Sequence, residues 1–135
     1  MYQILIIVTM IFLHIIDDFN HQGIMAEMKQ KKWWVNNPEY KPLYKYDYYV
    51  VLILHGFKWS FIIHLPLLVF YILTDNHDLA VGILYLVTLI GNGLIHSYID
   101  DIKANKLKIN LVVDQIFHII QIILLYGINR LLIMG

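Results

Sequence analysis

Apolar positions along this 135-residue chain gather into four long runs, over 2–20, 48–73, 79–101 and 109–133. Each has the roughly 20 residues that an α-helix needs to cross the hydrocarbon core of a bilayer. Between the first two runs, 24–34 sets Ile24, Met25 and Met28 against Glu27, Lys29, Gln30 and Lys31 and ends in Trp33 and Trp34. That pattern belongs to a helix lying in the membrane interface. Gly23 suits a helix stop, Pro38 and Pro42 make 36–46 a loop, 74–78 reads as a tight polar turn, and Pro66 is expected to kink the second span. The expectation is all-α: one integral membrane domain over 1–135, a four-transmembrane-helix bundle with a short interfacial amphipathic helix between helices one and two.

The runs are interrupted where lipid would least tolerate it. His96 is followed four residues later by Asp100, and Asp114 four residues later by His118. Residues four apart share a helical face, so an antiparallel pair of helices carrying this mirrored order sets two His/Asp pairs at matching depth. His14 and Asp18 repeat the spacing in the first run, where Asp17 and His21 fall on the same face; His55 and Lys58 share a face of the second. If the four spans alternate in direction, all these residues lie near one end, each His roughly 9 to 14 Å inside its polar boundary at about 1.5 Å per residue. His64 points elsewhere on the second helix, and His77 sits in the turn; neither is expected in the cluster. Beyond the cluster the spans look nearly wholly apolar, with His64, Asn92 and Thr88 as exceptions.

Composition changes the picture in three ways. Hydrophobic residues make up 59% of the chain and charged ones 15%, well below the roughly 25% charged residues of ordinary soluble domains, so the runs are read as lipid-facing. The chain has no cysteine, which excludes disulfides, thiolate ligands, iron–sulfur clusters and a Cys nucleophile. Formal net charge is zero, which gives no electrostatic basis for a nucleic-acid partner. Lys29, Lys31, Lys32, Lys41, Lys45, Lys103, Lys106 and Lys108 flank the end that holds the cluster, against Arg130 near the other. By the positive-inside rule that end faces the cytoplasm, with both termini outside, in an inner (cytoplasmic) membrane. Met1-Tyr2-Gln3 carries no basic side chain and no small-residue cleavage site follows, so the first span is expected to be retained.

Several His and Asp side chains converging from different helices, without cysteine, form the donor set of a zinc, manganese or iron centre. The candidate ligands are His14, Asp18, His55, His96, Asp100, Asp114 and His118. Seven donors exceed one tetrahedral ion, which suggests two ions sharing an Asp, or one ion with further carboxylates orienting its ligands. The expected cofactor is a divalent metal, one or two ions, with zinc first and manganese or iron as the other candidates. The competing reading makes these residues ordinary helix-end salt bridges and caps. Asp17 and Asp101 are candidates for a general base and Lys58 for an anion-binding cation, or for a partner that neutralises one of those carboxylates. Gln121 shares the Asp114/His118 face as a supporting donor, and Gly91 and Gly93 permit close packing against a helix of this chain or of a second copy.

The pattern His14-x-x-x-Asp18-Phe19-x-x-Gln22, then Met25-Ala26-x-x-Lys29, His55, His96-x-x-x-Asp100 and Asp114-Gln115-x-x-His118, resembles a family of small phage and prophage integral membrane proteins of unknown function. That family is similar in its His/Asp pattern to bacterial membrane-bound metal-dependent hydrolases. The resemblance implies a metal site rather than a particular reaction. His21 stands where an apolar residue is more usual, and Asp17 where a small one is.

Three functions fit. The first is a metal-dependent membrane hydrolase acting on a lipid-like or phosphoester substrate at the cytoplasmic leaflet, with the lipid bilayer and an amphiphilic or phosphorylated substrate as partners. The second is an ion, proton or divalent-metal transport module. The third is a non-enzymatic phage membrane factor.

Overall fold

A computed structural model describes residues 2–36, 39, 42–75 and 78–132. Pro38, Lys41, His77 and the end of the fourth expected span at Ile133 lie outside them. The described chain is helical: α1 (Tyr2–Asn20), α2 (Met25–Met28), α3 (Lys31–Val35), a 3-10 turn (Pro42–Tyr44), α4 (Asp47–Leu73), α5 (Leu79–Ala104) and α6 (Leu111–Leu132). Helices α1, α4, α5 and α6 are each long and apolar enough to cross a membrane. They close a ring in the order α1, α4, α5, α6, each packing on its two neighbours.

Local chemistry explains the ends. Gly23 takes φ +50°, the left-handed conformation that lets the chain turn after α1. The Asp78 carboxylate accepts from the Ala80 amide at 2.8 Å to cap α5, and Asn110 Oδ1 accepts from the Val113 amide at 2.9 Å at the start of α6. The third helix runs three residues past the expected 101, and the fourth starts two after the expected 109. Pro66 lies inside α4, which continues through it.

The interfacial segment differs from expectation: it is two short helices, not one. Gln30 is extended (φ −97°, ψ 123°), so the chain turns between α2 and α3. Asn105, just past α5, holds that turn by donating to the Lys29 carbonyl at 3.1 Å and accepting from the Lys31 amide at 2.7 Å. A continuous helix would present Lys29 along one interfacial face; the break aims it into the bundle.

Burial is inverted relative to a soluble domain. Among the described residues fourteen polar side chains are buried against twelve apolar ones, while Leu, Ile, Val and Phe dominate the exposed faces. Lipid, as the solvent of those faces, makes this arrangement stable. One interior stripe changes character along each helix. Ile6 and Met10 lead to His14 in α1; His55 leads to Trp59, Ile63, Leu67 and Tyr71 in α4; Asp114 and His118 lead to Ile122 and Leu125 in α6. One end of the bundle therefore has an apolar core and the other a polar one.

Helices α4 and α5 approach through small residues. A Cβ on Gly56 would overlap Ser97 Oγ and the Gly93 carbonyl oxygen, and one on Gly93 would press on the Phe57 backbone at 3.3 Å. Ser97 Oγ lies 2.9 Å from the Leu52 carbonyl and 2.8 Å from the Gly93 carbonyl, tying the two helices together. A Cβ on Gly91, which the sequence reading paired with Gly93 as a close-packing residue, would have nothing of this chain within 4 Å. It lies on another face, two residues and thus about 200° away from Gly93. Gly56 takes its place.

Candidate metal centre

Four helices deliver imidazoles and carboxylates to one point. His55 and His96 face each other with Nε2 atoms 3.2 Å apart. Asp100 Oδ2 stands 3.4 Å from His55 Nε2 and 3.9 Å from His96 Nε2. Donors around a tetrahedral ion with bonds near 2.0 to 2.1 Å sit roughly 3.3 Å from one another, so these separations suit three ligands on one ion. Asp18 Oδ1 completes the approach from α1, 3.8 Å from His55 Nε2 and 4.0 Å from His96 Nε2. Two triplets, Asp18/His55/His96 and His96/Asp100/His118, each offer ligand atoms within 4.8 Å of one another. His96 belongs to both.

His118 defines the second half of the cluster. The Gln121 amide donates toward the Asn92 carbonyl at 3.3 Å and Asn92 Oδ1 at 3.2 Å, which turns its own oxygen to His118 Nδ1 at 3.2 Å. A carbonyl only accepts, so the Gln121 nitrogen must face Asn92, and His118 Nδ1 must carry the proton. In the neutral ring Nε2 is then a bare lone pair. It points at Asp114 Oδ1, 3.4 Å away, and Asp100 Oδ1, 3.6 Å away. Neither His118 Nε2 nor Asp114 Oδ1 has a hydrogen-bond partner among the described residues, and both residues are wholly buried. A lone pair facing two anionic oxygens is repulsive, while a charged ring would pull them in to about 2.7 to 2.9 Å. A cation between them relieves that repulsion, as does a proton on the ring.

The candidate ligands are not equivalent. His14 lies beside the cluster, its ring centroid 5.7 Å from that of His118, but its Nδ1 lies 2.9 Å from the Trp59 indole nitrogen and accepts from it. That nitrogen is committed to Trp59, and His14 is in neither triplet. Asp114 adjoins His118 without joining a triplet. Trp59, four residues after His55, also stacks on His96 at 4.1 Å between ring centroids, and His96 stacks on His118 at 4.0 Å. This column fixes the two rings that face the carboxylates. The Nδ1 atoms of His55 and His96 have no hydrogen-bond partner among the described residues.

The three residues read as catalytic stand apart. Lys58 Nζ pairs with Asp17 Oδ1 at 2.7 Å and donates to the His21 carbonyl at 2.8 Å. Asp101 is held by Lys106 at 2.9 Å and by the Asn105 amide at 2.9 Å. The same carboxylate holds the Lys106 ammonium above its ordinary pKa. For Lys58 this is the neutralising role, and neither Asp17 nor Asp101 enters a triplet.

Two lysines that the sequence reading left among the flanking basic residues reach the candidate ligands themselves. Lys29 Nζ reaches Asp100 Oδ2 at 2.6 Å and Lys103 Nζ reaches Asp114 Oδ2 at 2.5 Å. Of the five carboxylates Asp17, Asp18, Asp100, Asp101 and Asp114, four have a lysine; Asp18 is held by the amides of Gln115 at 3.0 Å and Gln22 at 3.3 Å. Trp59 could have been found from its i, i+4 spacing to His55. Lys29 entered the sequence reading only through the pattern Met25-Ala26-x-x-Lys29 and its basic charge; its partner, 71 residues away, was not legible.

Polar groups also continue past the cluster. Asn92 donates to the Thr88 carbonyl at 3.0 Å, His64 lies 3.3 Å from Thr88 Oγ1 and packs edge-on to Tyr85, and Tyr71 hydrogen-bonds Asn129 in the far half of the bundle. The far half is thus less uniformly apolar than the sequence suggests, because its polar side chains pair across helices. His64 stays out of the metal-capable groups, as expected. No family model, curated protein or solved structure matches the chain, so the function of this cluster rests on its own geometry.

Proposed function

We propose that the chain is a metal-dependent membrane hydrolase whose site opens to the cytoplasmic leaflet and acts on a lipid-like or phosphoester substrate. The observation that carries this reading is the buried pair of His118 Nε2 and Asp114 Oδ1, unpartnered and 3.4 Å apart. His55, His96 and Asp100 would hold one ion, and the other oxygen of Asp100, with His118 and Asp114, would hold a second. Two His and one carboxylate with an open position is a catalytic zinc set, which makes zinc the first choice over manganese or iron. Bound there, the ion supplies a nucleophilic water at neutral pH and polarises a phosphoryl or acyl oxygen.

The chain's own residues supply the rest. Asp18 lines the cavity that reaches the cluster and carries no lysine, so it is better placed than Asp17 or Asp101 to orient and deprotonate the attacking water. Gln22 and Gln115 hold that carboxylate, and Trp59 and His14 shield the inner side. Elemental analysis of protein purified in mild detergent should find one or two divalent ions per chain, and His118→Ala should lose one or both. A parent without stoichiometric metal, or a His118→Ala variant that binds as much as the parent, sinks the proposal.

The polar series running from Gln121 and Asn92 through His64 to Tyr71 and Asn129 favours a second reading, a proton or cation relay. It requires flux across proteoliposomes that Asp100→Asn and His64→Leu each reduce about tenfold or more, a loss matching the removal of a buried ionisable or polar step. Flux indifferent to His64 leaves the far half structural and removes this reading.

A further inference from the structure

The cluster is reached through a cavity of about 330 Å³ between the end of α1, α2 and the corner joining α5 to α6. Asp18 and Asp100 are part of its wall, as are Lys29, Lys32 and Lys103. Lys32 is exposed and pairs with no carboxylate among the described residues. Lys29 and Lys103 rest on Asp100 and Asp114, the carboxylates that a bound divalent ion would claim. Lys29 donates to the very oxygen, Oδ2, that approaches His55 and His96. An ammonium carries three N–H donors, so each lysine keeps donors for a second acceptor, and the free space beside them is this cavity. Lys32 brings to the same cavity a third ammonium with no carboxylate of its own among the described residues, which favours an anion there.

The cavity does not end at the lysines. Phe19, Leu111 and Gln115 are shared with a second, apolar groove of about 440 Å³ that continues along α6 past Ile116, Ile119 and Ile120. Both volumes fall within the roughly 300 to 1,000 Å³ of small-molecule sites. Ile116 and Ile120 are exposed on the lipid-facing surface of the bundle, so the groove is open to the bilayer along its length. A basic, metal-adjacent cavity joined end to end with a lipid-facing apolar groove has the charge and hydrophobicity pattern of one molecule with a phosphate at one end and a hydrocarbon chain at the other. At the opposite end of the bundle, a comparable groove of about 340 Å³ beside Leu5, Leu65 and Val69 has no charged residue in its wall. It serves as an internal control.

We infer that the site takes a phosphate-headed membrane amphiphile that enters sideways from the bilayer, its phosphate on Lys29, Lys32 and Lys103 and its chain along Phe19, Ile116 and Ile119. What happens to the bound lipid rests on the hydrolase reading; the binding does not.

Native mass spectrometry in a neutral maltoside detergent, with dodecyl phosphate, inorganic phosphate and dodecanol as probes, tests this on variants at exposed positions that the bundle does not need for folding. One dodecyl phosphate should bind per chain, at least about tenfold tighter than either fragment, and Lys32→Glu and Ile116→Trp should each weaken it by about tenfold or more, while Val69→Trp changes it less than about twofold. Equal affinity for inorganic phosphate with no effect of Ile116→Trp overturns the chain-binding groove in favour of a free-anion site. Dodecyl phosphate uptake indifferent to both Lys32→Glu and Ile116→Trp overturns the inference entirely. Metal analysis of the same samples separates the two claims. Residue-dependent binding by a metal-free parent supports the amphiphile site and sinks the hydrolase alone; metal-replete protein indifferent to both variants does the reverse.

Discussion

His96→Ala is expected to lose the ion that His55 and Asp100 would also hold, whereas His118→Ala loses the one that Asp114 would also hold. The difference follows from position. His96 is the imidazole shared by both metal-capable triplets, stacked between Trp59 and His118 with its Nε2 3.2 Å from that of His55. Its single Nε2 serves one ion at a time, so its removal empties the His55 side of the cluster and leaves a hole where the ring column was. His118 contacts Asp100 and Asp114 but not the His55 side of Asp100. Loss of one donor from a three-ligand site weakens binding by roughly 10²-fold or more, larger than the 10- to 100-fold typical of residues that only support a ligand. Inductively coupled plasma analysis after gel filtration in detergent measures the metal per chain, and His96→Gln, which keeps most of the volume, separates ligand loss from collapse of the column. Equal metal in His96→Ala and the parent would remove His96 from the centre.

Gly56→Ala should produce the largest loss of stability from any single added methyl group. Its Cβ would overlap the Ser97 hydroxyl and the Gly93 carbonyl, both part of the α4–α5 contact. The carbonyl belongs to a helix backbone and cannot rotate away, so the helices must separate. Overpacking of this kind costs about 1 to 3 kcal/mol, and in a membrane no hydrophobic gain between helices offsets lost contact. Because Gly56 immediately follows His55, separation of α4 and α5 also spreads His55 from His96. Thermal unfolding in detergent should show a midpoint lower by at least about 5 °C for Gly56→Ala. Gly91→Ala, with nothing within 4 Å of the added carbon, should stay within about 0.5 kcal/mol of the parent. Equal stability of the two variants would show that α4 and α5 do not pack through Gly56.

The four long apolar runs, their separation by short turns and the all-helical class were legible in sequence, because spanning a bilayer imposes length and hydrophobicity on each helix independently of its neighbours. The recurrence of His and Asp at i, i+4 was equally legible, since a helix carries that spacing in its own geometry. His55, His96, Asp100 and Asp18 meet where alternating helices bring matching depths together.

Rotation of each helix about its axis, and the chain's approach from outside the bundle, were not legible. They decided which residue became a neighbour and which a bystander. His14 shares depth with His118 yet gives its Nδ1 to Trp59. Gly91 and Gly56 exchange roles because a contact between two helices is set by the faces that meet, not by the presence of glycine in one of them. Lys58, nearest in sequence to His55, turns to Asp17, while Lys29 arrives from a segment broken at Gln30 and held by Asn105. Membrane-length helices and a band of His and Asp at one depth were readable residue by residue, because each property resides in a single helix. Which of those groups face one another, and which lysines neutralise them, came from packing, because charge pairing across 71 residues depends on where helices meet and where a short turn bends.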